Sequence, residues 1–568
     1  MCGIAGIYDF KGPVSQERLD FFTDALAHRG PDGRGTLLDG PVGLGHRRLA
    51  ILDISDAGRN PLCYEAPDGR ILWTVFNGEI YNFLELKSEL EALGHRFHTK
   101  TDTEIIPAAY SQWGADCLLR FNGMWAFALY DPRDRSLFLS RDRFGIKPLY
   151  YLIQDGMLAF ASEIKAFTCL EGYSPALDDA VVPIVLKNPA AYEGRTVDTL
   201  MRGVRRLPPG HLLQLGPDGR CVVRRWWETA DHIPKMPATY AEQVEGFREL
   251  FLDAVRIRLR SDVPVGTCLS GGVDSSAVAS ATAWLNRHVD RDGLNRCAKD
   301  WQRAFIAAFP GTVLDEREYA DEVVRHVGAK PHYWNFDSNE AIEHIIDTVW
   351  SMEEIYNGVA VPPWRLYLEM RRQNVVVSLD GHGGDELLAG YPWYLDCTMG
   401  NLNNVLYNEF HTLLLPAILR NYDRCSMAHG VEVRMPIMDW RLVTYSFGLP
   451  ASAKIGGGFT KRVFRDAMAG IMPEKNRLRR SKIGFNSPMI EWLNGGLVPF
   501  VKKITASKQF LDSPHWDGPA LRQRAVGLSE AKAWTMGHWG ESLYLWTVIN
   551  IVLWQMLFIT REIDLAKG

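Results

Sequence analysis

Up to about residue 205 the chain alternates short apolar strands with few helices, and from about 240 long helices alternate with short buried strands. The first pattern predicts an α+β sandwich of antiparallel sheets, and the second an α/β domain whose parallel sheet carries helices on both faces. A third observation locates a ligand. Apolar strands run into two glycine loops, around Gly271 and Gly381, and open α/β sheets bind ligands at the carboxyl ends of their strands.

Apolar alternation predicts strands over 2–9, 71–76, 124–130 and 136–140, and helical spacing predicts helices near 16–26, 84–93 and 103–113. Gly and Pro at 208–210 mark a turn, and the polar, proline-containing stretch Glu228 to Tyr240 is the linker candidate. The division expected is a first domain at 2–205, a connecting segment at 206–239 and a second domain at 240–568. Val263 to Leu269 and Val375 to Leu379 read as buried strands, and a helix follows from Ser275. Leu543 to Ile559 is an apolar run of seventeen residues containing Asn550 and Gln555, just short of a membrane span. It is expected as a helix buried against the second domain, with Trp546 and Trp554 in the core.

With 568 residues, 46% hydrophobic and 23% charged, the composition is that of a soluble globular protein of at least two domains. A net charge of -5 argues against a sequence-independent nucleic-acid binder, which would show a basic stripe. The nine cysteines stand singly with no CxxC pair, so neither a structural zinc site nor a disulfide framework is expected, and a reducing cytoplasm is. No secretory signal is read at the start. Small-molecule substrates, no nucleic acid and no membrane are the partners expected.

Removal of Met1 would leave Cys2 with a thiol and a free α-amino group. The amine titrates at roughly 7.7 to 8.0, close enough to neutrality to take the thiol proton, so one residue could be nucleophile and base. Standing alone, Cys2 reads as a small apolar residue opening a strand. Its company changes that reading. Arg48, the run Asn77, Gly78, Glu79, and the run Thr101, Asp102, Thr103, Glu104 follow, and residues 2–205 resemble the N-terminal-nucleophile glutaminase domain of class II glutamine amidotransferases. Glutamine would need a cation for its carboxylate, an anion for its ammonium and donors for an oxyanion. The resemblance implies Arg48 for the carboxylate, Asp102 for the ammonium, and the Asn77 amide with the Gly78 N–H for the oxyanion, with Glu79 a further acceptor. His28, Arg29, Gly30, Pro31, Asp32 and Gly33 match as well, as a turn or as ligand contacts.

Downstream, Leu269, Ser270, Gly271, Gly272, Val273, Asp274, Ser275 and Ser276 join a strand to a helix. Glycines that free backbone N–H groups, serine hydroxyls and a helix N-terminus make an anion site, and Asp274 offers a hard oxygen ligand for Mg2+. No lysine follows the glycines, so this is no Walker A loop. It resembles the pyrophosphate loop of ATP pyrophosphatases. Glutaminase followed by this loop is similar to the asparagine synthetase family, across most of the chain.

That resemblance implies an ATP- and Mg2+-dependent ligase in two half-reactions joined by an internal ammonia tunnel lined by apolar residues, and a possible homodimer. It also implies backbone contacts to the nucleotide from Cys268, Ala307 and Gly381, with Phe305 to Phe309 the strand flanking adenine. Asp385 would be a second Mg2+ ligand and Lys461 would neutralise phosphate charge. Ser426, Met427 and Glu432 to Pro436 match without an assigned chemistry.

The departure lies at Asp380, Gly381, His382, where family members that make asparagine read Ser-Gly-Glu or Ser-Gly-Asp. An aspartate acceptor brings an ammonium that would want that carboxylate, and His382 removes it at neutral pH. Either Asp380 has taken over the charge and aspartate is used, or the acceptor is another carboxylate, such as a uronic acid of a surface glycan or a natural-product intermediate. A non-catalytic sensor on this fold, or an ATP pyrophosphatase that works without glutamine, are the readings from other classes.

Overall fold

The computed structural model describes residues 1–568 apart from 291, 292, 313, 357, 483–487 and 564–568. The first half holds two six-stranded sheets. One contains β1 (Gly3–Asp9), β2 (Gly33–Asp39), β3 (Val42–Arg48), β8 (Tyr150–Gln154), β9 (Met157–Ala161) and β10 (Arg205–Arg206), in the order β10-β8-β9-β1-β3-β2. The other contains β4 (Leu62–Glu65), β5 (Ile71–Ile80), β6 (Gly123–Asp131), β7 (Ser136–Arg141), β11 (His211–Leu215) and β12 (Cys221–Arg225), in the order β12-β11-β7-β6-β5-β4. The pairings are antiparallel, as expected.

The period of two explains the layers. Ile4 and Tyr8 of β1 point at the second sheet and pack with Val75, Ala126 and Ala128, while Ala5 and Ile7 face the helix Gln16–Asp24 through Leu19 and Phe22. Helices Phe83–Ala92 and Ile105–Trp113 cover the far face of the second sheet. The result is a four-layer sandwich with β1 buried on both sides. Two boundaries differ from the sequence reading. β5 continues past 76 because Asn77, Gly78 and Glu79 keep their ladder with Ala126, Trp125 and Met124. The segment 206–239, expected as a connection, contributes β11 and β12 to the second sheet.

The second half is built on one parallel sheet of β13 (Val265–Cys268), β14 (Arg303–Ala308), β15 (Lys330–Asn335), β16 (Val377–Leu379) and β17 (Glu432–Arg434), ordered β15-β14-β13-β16-β17. The strand order changes direction between β13 and β16, so the loops leaving those two strands open a crevice at their carboxyl ends. The helix Val273–His288 starts directly after the first loop.

The C-terminal helix Trp539–Phe558 is long and apolar enough to cross a membrane, yet 78% of its apolar window is buried inside the molecule. Trp546 and Trp554 are 2% and 1% exposed, and their indole N–H groups donate to the Gly358 and Glu353 carbonyls at 2.7 Å each. This is the core helix that the sequence suggests.

Candidate active sites

Cys2 precedes β1. Its backbone N–H donates to Asn77 Oδ1 at 3.1 Å, and its half-buried thiol lies 3.9 Å from the Leu49 carbonyl. Asn77 Nδ2 is buried with no partner among the described residues. A Cβ on Gly78 would sit 2.1 Å from the Met124 carbonyl oxygen, so only glycine lets β5 run this close to β6. Arg48, at the end of β3, is held by the Ser55 carbonyl at 2.7 Å and by that of Asp53. Cys2, Arg48, Gly78, Glu79 and Asp102 line one small cavity of about 30 Å³, which Met1 also lines.

Its electrostatics are those of a cation site. Burial pushes the Asp102 carboxyl up to about 6 against the pull of the Ile80 N–H at 2.7 Å. Burial, and then Asp102 itself, push Glu79 well above the usual carboxylate range. Two acids that hold protons in each other's company favour an entering cation. Burial also pushes the Cys2 thiol up, opposed by the N-terminal ammonium.

The second half reaches into this site. The Met1 ammonium lies 3.1 Å from Glu432 Oε2, with both groups fully buried. Glu432 accepts from Arg434 Nε at 2.5 Å, and Arg434 pairs with Glu79 at 3.1 Å. The contact between the halves is crossed by buried charge. Arg29 donates to Glu163 at 2.7 Å and to Asp423 at 2.9 Å, and Arg424 lies 3.7 Å from Glu163. His28 joins the same network through Glu163 at 2.8 Å, so the stretch beginning at His28 serves the interface rather than the cavity.

The second cavity, about 520 Å³, opens where the loops after β13 and β16 converge. A Cβ on Gly381 would lie 2.6 Å from the Asp274 backbone. Cys268, Ser270, Asp274, Ser275, Ala307, Asp380, Gly381, His382 and Asp385 all line it. An adjoining pocket of about 60 Å³ is lined by Gly272, Asp274, Ser275, Lys461 and Lys482. Lys461 Nζ lies 2.5 Å from Asp274 Oδ2 and 2.6 Å from Asp385 Oδ1, and Lys482 Nζ lies 2.7 Å from Asp385 Oδ2. Burial tends to raise Asp385, but the two lysines outweigh it and hold the carboxyl well below its usual range.

The family model for a glutamine amidotransferase domain matches residues 1–227, and that for asparagine synthase matches 246–403 and 398–556, more than half of the chain. The chain belongs to the asparagine synthase family. Asparagine synthetase (glutamine-hydrolyzing) 1 of Bacillus subtilis (strain 168) is 26% identical over 99% of this chain and 98% of its own length. Asparagine synthetase (glutamine-hydrolyzing) 3 of the same organism is 30% identical, covering 89% and 90%. A putative asparagine synthetase (glutamine-hydrolyzing) 2 of Methanocaldococcus jannaschii is 34% identical, covering 70% and 76%. This asparagine synthase-family chain is therefore an ATP-dependent ligase of the amidotransferase type, with an N-terminal-nucleophile glutaminase fold ahead of its parallel-sheet domain.

Within this synthase fold two of the expected loop residues line neither cavity of the second half. Gly271 takes φ +75°, and its carbonyl accepts from Asn476 Nδ2 at 2.9 Å. The fully buried Ser276 hydroxyl accepts from the same amide at 3.3 Å. Sequence reasoning missed Tyr367 and Tyr422, which line the larger cavity, Arg479, which lines the smaller, and Lys482, which lines both. The compact basic run Arg479, Arg480, Ser481, Lys482 is the signal that could have found the charged members; the tyrosines come from helices whose spacing says only that they face a core.

The donor set suits Mg2+ in a limited way. Among the described residues no group of three or more Asp, Glu, His or Cys side chains is arranged to hold a metal ion. Mg2+, however, usually takes one or two carboxylates and completes its shell with phosphate and water. Asp274 Oδ1 is buried without a hydrogen-bond partner among the described residues, which leaves a hard oxygen lone pair facing that role.

Proposed function

We propose that this chain hydrolyses glutamine at Cys2 and uses the ammonia, with ATP, to amidate an acceptor carboxylate. Division of the chain into a glutaminase unit through β12 and a synthetase unit from the helix Tyr240–Arg258 belongs to the same proposal. Once Met1 is removed, the α-amine of Cys2 takes the thiol proton. The sulfur adds to the side-chain amide of glutamine while the Asn77 amide and the Gly78 N–H receive the oxyanion. Ammonia leaves, and water releases glutamate from the thioester. Arg48 meets the glutamine carboxylate and Asp102, with Glu79, its ammonium.

In the second cavity a carboxylate oxygen attacks the α-phosphorus of ATP. The bond to the bridging oxygen breaks, pyrophosphate departs and an acyl-adenylate remains. Ammonia adds to that carbonyl, loses a proton and expels AMP. The N-terminal turn of Val273–His288, Ser270 and Ser275 hold phosphate oxygens, and Lys461 follows the charge onto the leaving pyrophosphate. Asp274 and Asp385 would hold Mg2+, which neutralises phosphate charge. The observation that carries this reading is the convergence of the two glycine loops on Asp274, Asp385 and Lys461. Glutamate release from glutamine, together with acceptor-dependent pyrophosphate release from ATP, is its test. A protein that does neither is a sensor on this fold.

One observation favours an acceptor other than aspartate. Asp380 is 2% exposed and both its oxygens are engaged: Oδ1 accepts from Ser378 Oγ at 2.5 Å and Cys268 N at 3.2 Å, and Oδ2 from Tyr367 at 2.7 Å, with the His382 ring 3.4 Å away. Burial opposes ionisation, yet the His382 contact and the hydroxyl bonds hold Asp380 below its usual range. It is a structural anion, poorly placed to replace the missing acid.

A further inference from the structure

Beyond the glycine loops, the 520 Å³ cavity is lined by a second set of residues. Its floor is one face of the helix Leu415–Met427 and the residue before it. Leu414, Ala417, Ile418, Asn421 and Tyr422 all line the cavity, at the i, i+3, i+4, i+7, i+8 spacing of a single helical stripe. A π-helical turn at Glu409–Leu413 immediately precedes that stripe, the kind of local rewinding that re-aims side chains at functional sites. Ile355 and Tyr356, with Pro189 and Ala190 of the first half, also line it. Trp393 stands at 50% exposure, stacked on Tyr391 at 4.3 Å.

Charge on this side is sparse. Among the described residues the cavity lining contains no arginine, and its Glu316 is paired with Arg479. Lys482 is committed to Asp385, Asp380 is saturated as described, and Glu386 accepts from Tyr391 at 2.5 Å. An amino-acid acceptor would need a carboxylate and an ammonium answered here, and a sugar acid would need partners for several hydroxyls. The polar groups on this side include His382, whose ring lies against Tyr422 at 3.6 Å, the Tyr356 and Tyr422 hydroxyls, and Asn421, 9% exposed, whose Oδ1 has no partner among the described residues.

Resting on the amidation reading above, we infer that the acceptor is a carboxylic acid with no α-ammonium, whose apolar aryl or alkyl body lies along the Leu414–Tyr422 stripe. Its carboxylate points past His382 to the α-phosphate, and Asn421 can take one hydrogen-bond donor from the body. Burial of the body on these side chains, at roughly 25 cal/mol per Å² of apolar area, supplies the affinity that ion pairs supply for an amino acid.

The test is pyrophosphate release by the full chain with Mg-ATP and ammonium, across L-aspartate, D-glucuronate, phenylacetate, 4-phenylbutyrate and trans-cinnamate. At least one apolar acid is expected to exceed both aspartate and glucuronate tenfold or more in kcat/KM. Ala417→Phe, which fills the stripe, is expected to raise the KM for that acid at least tenfold. Ile418→Asn, close in size but polar, does the same more weakly and guards against a folding defect, with thermal midpoints as the control. Aspartate or glucuronate matching the best apolar acid overturns the inference and leaves the amidation reading standing, as does an unchanged KM in both variants. Silence of the whole panel overturns the inference, and silence without glutamate release from glutamine takes the amidation reading with it.

Discussion

Replacing Lys461 by methionine tests the second site most sharply, because the structure separates what the lysine does for folding from what it does for chemistry. The side chain is 4% exposed and its ammonium touches Asp274 and Asp385 at once. Removing one partner of a buried ion pair commonly costs about 3–5 kcal/mol. Here Asp385 keeps Lys482 at 2.7 Å, so only Asp274 is orphaned. Burial already raises the Asp274 carboxyl, against the pull of Lys461, so it can take a proton rather than remain a bare anion. The expected loss is therefore smaller, about 1–3 kcal/mol, the cost of one unsatisfied buried group. The catalytic loss should be larger in effect, on the order of 10²–10³-fold in pyrophosphate release, since a preorganised cation at developing charge is what disappears. Glutamate release from glutamine should stay within about twofold. Pyrophosphate release within threefold of the parent, in a variant that melts normally, refutes the assignment of Lys461 to phosphate.

Other perturbations have equally definite outcomes. Asn77→Ala is expected to lower glutaminase turnover by about 10²-fold through loss of one oxyanion donor, while ammonium-driven pyrophosphate release is retained. Asp102 must be ionised to hold an ammonium, and burial sets its carboxyl at about 6 against the ordinary 3.8, so the KM for glutamine should rise up to tenfold per unit as pH falls below about 6 and level off above it. For stability the sign is opposite: the native state binds this proton more tightly than the unfolded chain, so Asp102 favours folding below about pH 4 and loses that contribution as pH rises through 6; Asp102→Asn should flatten both dependences. His382→Glu is expected to lower activity with an apolar acceptor and to gain at least some with aspartate, and a variant that does neither removes the argument from this position.

The glutaminase half is legible because its strands alternate on period two and its site residues fall in short runs, which survive as local patterns. Asn77 and Gly78 were found, but their place inside β5 was not. Polar residues there break the apolar alternation, while the ladder to β6 continues through backbone groups indifferent to side chain. The loops at Gly271 and Gly381 were legible for a related reason, since a strand–glycine–helix sequence has few other uses. What sequence could not give was anything made by distant partners. Glu432 and Arg434 lie far along the chain from Met1 and Glu79, the cavity-lining residues with which they pair, and no spacing rule links them. The buried ion pairs joining the halves, such as Arg29 with Asp423, oppose the habit of reading interfaces as apolar. Asp380 illustrates the same limit: its charge could be read from sequence, but that four neighbours consume it could not.

The most direct test of the central claim, that one site makes ammonia and a second consumes it, is amide formation by Cys2→Ala with each nitrogen source in turn. With the best acceptor and Mg-ATP, the variant is expected to form no amide from glutamine and to match the parent with ammonium. Undiminished use of glutamine by the variant, or loss of the ammonium-driven reaction in a normally folded protein, would contradict the account.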